Sequence, residues 1–179
     1  MKNITLSKNP FIKGAQCTKA TYLHYNHPEY KSAVSIEQQL MFDKGKGFGL
    51  IAHGLYSEGE DLSMNCQKFG SELIESTKLA LKSGKRILYE AAFESDENFI
   101  MNNGKMLFNG KIMFVGDIIV ISEKKIKIIE VKSSTIIKTP DHVYDIGFQS
   151  IVLENCSTFK NSGDENKRIE FWIAYINNQ

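Results

Sequence analysis

Residues 111–133 read KIMFVGDIIVISEKKIKIIEVKS, two runs rich in β-branched side chains (111–121 and 125–133) joined by a short charged turn at Ser122–Lys124. That is the pattern of a β-hairpin. Successive strand side chains point to opposite faces, so Ile126, Ile128, Glu130 and Lys132 share one face while Ile129 and Val131 share the other. Glu130 and Lys132 thus close an otherwise apolar strand face. On the preceding run Asp117 interrupts Phe114-Val115-Gly116 and Ile118–Ile121. A charge in such surroundings is costly unless it is paired, hydrogen-bonded or bound to a metal. Two carboxylates and an ammonium on adjoining strands therefore mark a candidate site.

Ahead of this hairpin the spacing of apolar residues predicts helices. Ser7 is placed to cap a first one, with Pro10 in its opening turn and Phe11, Ile12, Ala15, Ala20, Tyr22 and Leu23 as its apolar positions, until Asn26-His27-Pro28 breaks it. Residues 35–56 predict a second helix, loosened by Gly45, Gly47 and Gly49. After the polar break Glu58–Asp61, residues 63–83 predict a third, closed by Ser83-Gly84-Lys85 with Gly84 left-handed. Arg86–Phe93 predicts a strand whose lone charge is Glu90, and 94–103 a turn-rich stretch with a short strand at Phe99–Met101. Behind the hairpin come a loop at 133–139, a helix over 141–155, a polar loop at 158–166 and a last strand at 167–176. On the 141–155 helix Asp145 and Gln149, four apart, share a face. Helix, three strands, helix, strand is an α/β order with a mixed sheet.

At 179 residues and 42% hydrophobic content the chain suits one globular domain. No run approaches the ~18 apolar residues of a membrane span, and the first residues lack a signal-peptide core, so a cytoplasmic protein without a membrane partner is expected. Three cysteines, Cys17, Cys66 and Cys156, make a disulfide framework a poor fit. The net charge of +1 neither announces nor excludes nucleic acid; a DNA footprint would have to be a local patch.

Gly116-Asp117 followed by Glu130-Val131-Lys132 resembles the D…(D/E)-x-K signature of the PD-(D/E)XK nuclease superfamily, and more narrowly its RecB-like branch, which includes CRISPR-associated exonucleases and an uncharacterised bacterial family. Leu88–Phe93, Glu130–Thr135, Tyr144–Gln149 and the segment from Leu6 to Cys17 follow the same family pattern. The resemblance implies a restriction-endonuclease-like core at 63–179, a mixed central sheet flanked by helices, with residues 1–62 as a helical extension packed on it. It implies a Mg²⁺- or Mn²⁺-dependent deoxyribonuclease, exonuclease-like, acting on single-stranded DNA or duplex ends. Asp117, Glu130 and the Val131 carbonyl would hold the cation, Lys132 would act on the water and the phosphate, and Glu90 would be a further ligand or a base.

Gly49–His53 matches the G-x-x-x-H of many RecB-like nucleases, in which the histidine is a metal ligand. His53 is thereby a ligand or, on the plainer reading, a hydrogen-bonded histidine near a helix end. Gln149 matches the glutamine of a Q-x-x-x-Y motif that contacts substrate or orients the lysine, but Leu153 stands where the tyrosine would be. Relatives with an iron–sulfur cluster carry three cysteines near the C-terminus; Cys156 stands alone there, so no cluster is expected. Many relatives continue into a C-terminal domain, so a stand-alone nuclease and a fragment with a further domain or protein partner are both open. The competing reading is a DNA-binding or scaffold module that kept the fold without turnover. A glycosidase acid/base pair is remote, because Lys132 adjoins the carboxylates.

Overall fold

The computed structural model describes residues 4–64, 66, 70–96, 110–136, 140–160 and 167–176. The short strand foreseen at Phe99–Met101 lies outside them. The protein is mixed α/β, with helices and one six-stranded mixed sheet. Its strands are β1 (Ile4–Ser7), β2 (Glu60–Asp61), β3 (Ile87–Glu94), β4 (Gly110–Ile121), β5 (Lys125–Lys132) and β6 (Arg168–Tyr175). The order across the sheet is β2-β3-β4-β5-β6, with β1 also paired to β4. Among the described residues no helix is long and apolar enough to cross a membrane.

The foreseen hairpin is present. Its turn is closed by Ser122, whose N–H and hydroxyl both donate to the Lys125 carbonyl while its Oγ accepts from the Lys125 N–H. β4 shares one edge between two partners. Its first residues pair in parallel with β1, from Ile4↔Gly110 to Ser7↔Met113, and its last residues pair antiparallel with β5, from Ile118↔Ile129 to Ile121↔Ile126. Gly110 is required there, because a Cβ would collide with the Ile4 carbonyl. β5 then runs parallel to β6 along its whole length, from Lys125↔Arg168 to Lys132↔Tyr175.

The helices are α1 (Lys8–Gln16), α2 (Thr18–Asn26), α3 (Ile36–His53), α4 (Ser71–Lys82), α5 (Asp141–Glu154) and the single turn α6 (Ser157–Phe159). Three sequence expectations are corrected. The segment Ile4–Ser7 is a strand, and the first helix is two, parted where Cys17 is extended at φ −156°. The third helix starts at Ser71, not 63, because Gly70 before it sits at φ 121°, which L side chains avoid. Gly84 is left-handed as foreseen, at φ 81°. α3 opens with a capping box: Ser35 Oγ accepts from Gln38 N–H and the Gln38 side chain accepts from Ser35 N–H.

By contacts the chain forms two compact units. One comprises Met1–Ala33, Phe93–Phe114 and Lys138–Ser157; the other Val34–Ala92, Val115–Ile137 and Thr158–Gln179. In the first, α1 packs on α5 through stacked Phe11 and Phe148 rings 4.6 Å apart, and Phe93 stacks on Phe114. In the second, Ala52, Tyr89, Ile118 and Ile129 form a buried cluster that Tyr56, Ile87, Val120, Val131 and Ala174 extend. There α4 is tied to β3 by Thr77, whose Oγ1 donates to the Leu73 carbonyl and accepts from the Ala92 N–H.

Candidate active site

Asp117, Glu130, Lys132, Glu90 and His53 all belong to the second unit. The β4–β5 ladder ends at Ile118↔Ile129, and strand alternation puts the next residues, Asp117 and Glu130, on the face of Ile119 and Ile128. Here β4 leaves β5 to continue beside β1. The Val131 N–H loses a strand carbonyl at that point, and Asp117 Oδ2 accepts its hydrogen bond at 2.6 Å. The fork in the sheet thus turns a backbone donor towards a carboxylate and pins Asp117. Charge-assisted bonds of this kind are short and strong.

Glu130 is 5% exposed, and Lys132 Nζ lies 2.7 Å from its Oε1. Two residues apart on one strand, they share a face, so the ammonium offsets a carboxylate that burial would otherwise make costly. Glu130 and Lys132 form an ion pair, and Asp117 is held at the N–H of Val131, the residue between them.

Glu90 is the one non-glycine residue among those described with positive φ, at 54°, in the middle of β3. Glu90 lies on β3, the strand next to β4 in the sheet. A left-handed non-glycine backbone costs about 1–2 kcal/mol, and such residues cluster at functional sites.

The Val131 N–H donates to Asp117 Oδ2. One expected ligand, His53, is placed differently. His53 stacks on Tyr89, ring centroids 3.8 Å apart and 7° from parallel. Tyr89 belongs to the Ile118/Ile129 cluster, against which Val131 also packs, so His53 lies on the face of the sheet opposite Glu130 and Lys132. His53 Nε2 is buried without a hydrogen-bond partner, and burial pushes the imidazole pKa below its usual range against the opposing pull of Asp61. The Tyr89 hydroxyl donates to the carbonyls of His53 and Tyr56, which fixes the end of α3 on the sheet.

Gln149 belongs to the first unit, fully buried, with Nε2 donating to Asp145 Oδ1 at 2.9 Å. Asp145, 2% exposed, also meets Lys8 Nζ at 3.2 Å. Leu153, in the position of the motif tyrosine, is buried at 1%.

One residue escaped the sequence reading. Tyr175 pairs with Lys132 in the parallel β5–β6 register, so its ring stands on the same face, and it is half-exposed. Alternation from Glu130 across to β6 would have found it, had the partner strand's register been readable.

Among the described residues no three His, Cys, Asp or Glu side chains converge as a ready cation site. Two carboxylates suffice for Mg²⁺, which keeps several waters and takes further ligands from substrate phosphates. The donor set of Asp117 and Glu130, hard oxygens from neighbouring strands, suits such an ion. Comparison with protein-family models, with curated proteins and with solved structures finds no match to the chain.

Proposed function

We propose that the chain is a divalent-cation-dependent deoxyribonuclease of the RecB-like PD-(D/E)XK type, with a restriction-endonuclease-like core, acting in the cytoplasm on DNA ends in an exonuclease-like manner. The observation that carries this reading is the meeting of Asp117, Glu130 and Lys132 at the fork where β4 leaves β5. Asp117 and Glu130 hold Mg²⁺ or Mn²⁺, which when bound supplies neutralisation of the phosphate and a more acidic water. Asp117 is kept oriented by the Val131 N–H. Lys132 is kept at the site by Glu130, where its ammonium positions the attacking water and stabilises charge developing on the phosphate. Glu90 adds a carboxylate from β3, the strand next to β4. Tyr175, beside Lys132, offers an aromatic face to a base next to the scissile bond. Gln149 supports the reading by its place in the family pattern alone.

The second reading, a nucleic-acid-binding or scaffold module without turnover, draws on the Glu130–Lys132 pair, in which the ammonium neutralises a carboxylate that a cation would need. Labelled linear, circular and single-stranded DNA incubated with Mg²⁺ or Mn²⁺ separates the two. Under the nuclease reading, cleavage occurs, stops with EDTA and is absent in Asp117→Asn. DNA binding that persists in EDTA without any cleavage decides for the second.

A further inference from the structure

We propose that the first half of the β5–β6 pair, on the sheet face turned away from Glu130 and Lys132, binds single-stranded nucleic acid. Trp172 stacks on a base there and the surrounding cations hold phosphates. Alternation along β5 puts Lys125 and Lys127 on that face, and the parallel register sets Arg168 beside Lys125, Glu170 beside Lys127 and Trp172 beside Ile129. Lys127 Nζ lies over the indole, 4.6 Å from the ring centroid. Ile129 is buried, yet Trp172 next to it is 49% exposed, so half of this large aromatic residue meets water.

The cations around the indole outnumber the carboxylates. Lys124, Lys125, Lys127 and Arg168 stand against Glu123 and Glu170, in a chain whose net charge is only +1. Such a surplus is the local patch that a nearly neutral nucleic-acid binder requires. Glu170 is shared three ways. Its Oε2 accepts from Trp172 Nε1 at 3.2 Å and from Lys125 Nζ at 3.4 Å, and its Oε1 lies 3.7 Å from Arg168 Nε. One carboxylate does not cancel two cations, and its bond to the indole N–H holds the ring in place. The Arg168 side chain is 81% exposed and that of Lys125 43%, within reach of a ligand.

The cations also have room in front of them. The β4–β5 turn and the start of β6 frame an open hollow of about 620 Å³, lined by Ser122, Glu123, Lys124, Lys125, Arg168 and Glu170. That is within the size range of small-ligand sites. Its frame is fixed by Ser122, which closes the turn, and by the Arg168 N–H, which donates to the Lys124 carbonyl at 3.1 Å. Phosphates suit the cations and a planar base suits the indole; an acidic peptide would satisfy only the cations. Bases in a duplex are stacked on one another, so the indole selects a single strand. The inference goes beyond both readings of the catalytic face and depends on neither cleavage nor a bound cation.

Trp172 is the chain's one tryptophan, so its emission reports on this site alone. Oligo(dT) of about twelve nucleotides, titrated in EDTA, is expected to quench that emission, and a duplex of the same length or poly-glutamate is not. Anisotropy of the labelled oligonucleotide gives the affinities of the variants. Trp172→Leu is expected to raise Kd about tenfold or more, with Trp172→Phe recovering most of the loss. Lys125→Ala with Arg168→Ala is expected to lower the salt dependence of log K by about 1.4, at ~0.7 per phosphate contact. Circular dichroism checks that these variants, altered at solvent-accessible positions, stay folded. Asp117→Asn is expected to be quenched as the wild type is, so failure of the nuclease reading and failure of this one are told apart. Oligonucleotide binding without quenching, equal quenching by duplex or poly-glutamate, or an unchanged Kd in Trp172→Leu overturns the proposal, as does the absence of any binding.

Discussion

Replacing Lys132 by methionine keeps the length and apolar stem of the side chain and removes the ammonium 2.7 Å from Glu130. Stripping one partner from a fully buried ion pair costs about 3–5 kcal/mol. Glu130 is nearly buried, with 7% of its side chain exposed, but the Lys132 side chain is 23% exposed, so water reaches the pair. The cost is therefore discounted to about 2 kcal/mol. For a chain of this size that lowers Tm by roughly 4–8 °C. In Glu130→Gln with Lys132→Met both charges are gone, and most of the loss should be recovered. A cation that binds only the folded state adds stability as RT ln(1 + [L]/Kd), about 2.7 kcal/mol at a hundredfold excess over Kd. Mn²⁺ should accordingly raise Tm of Lys132→Met and leave the double variant unmoved. The assay is thermal and urea denaturation followed by circular dichroism, with and without Mn²⁺. A loss below about 0.5 kcal/mol in Lys132→Met, the cost of a weak surface pair, together with no response to Mn²⁺, would refute the reasoning.

Glu90→Gly should relieve the positive-φ backbone and raise stability by roughly 1 kcal/mol while slowing DNA cleavage; a destabilised variant in urea would show that the conformation carries no strain. The depressed pKa of His53 gives a pH dependence of known sign: the unfolded imidazole titrates near 6.5 and takes up protons before the folded one, so stability falls as pH drops from 7 through 6.5. His53→Gln should flatten that slope, and an unchanged slope in the variant would assign it to other groups. Tyr175→Ala should raise KM for single-stranded DNA about tenfold with kcat held, the scale of one base-stacking contact, and Tyr175→Phe should behave as wild type; equal KM in all three would remove Tyr175 from the substrate path.

The hairpin of β4 and β5 was legible because both runs are β-branched and its turn is short and polar, and alternation alone put Glu130 and Lys132 on one face. β3, α5 and β6 came within a residue or so of their observed ends for the same reason: strong period and clear breakers. β1 and β2 were not legible. Four residues and two residues carry no period, and Ile4–Ser7 is held by its pairing with β4. Gly70 shows why the third helix was drawn too long: Phe69 fits the apolar pattern, but φ at the following glycine does not fit a helix.

The site divides along similar lines. Residue types and order picked out Asp117, Glu130 and Lys132, but the fork in the sheet that gives Asp117 the Val131 N–H is a property of pairing. The side of the sheet on which α3 packs is likewise tertiary, and it separates His53 from Glu130. The left-handed backbone of Glu90 leaves no trace in its neighbours along the chain.

Titrating the protein with Mn²⁺ and following free ion by electron paramagnetic resonance tests most directly whether Asp117 and Glu130 share one cation. One ion bound per chain in the wild type, and none at the same concentrations in folded Asp117→Asn or Glu130→Gln, is the expected result. Equal binding by all three proteins, or no binding by any, would contradict it.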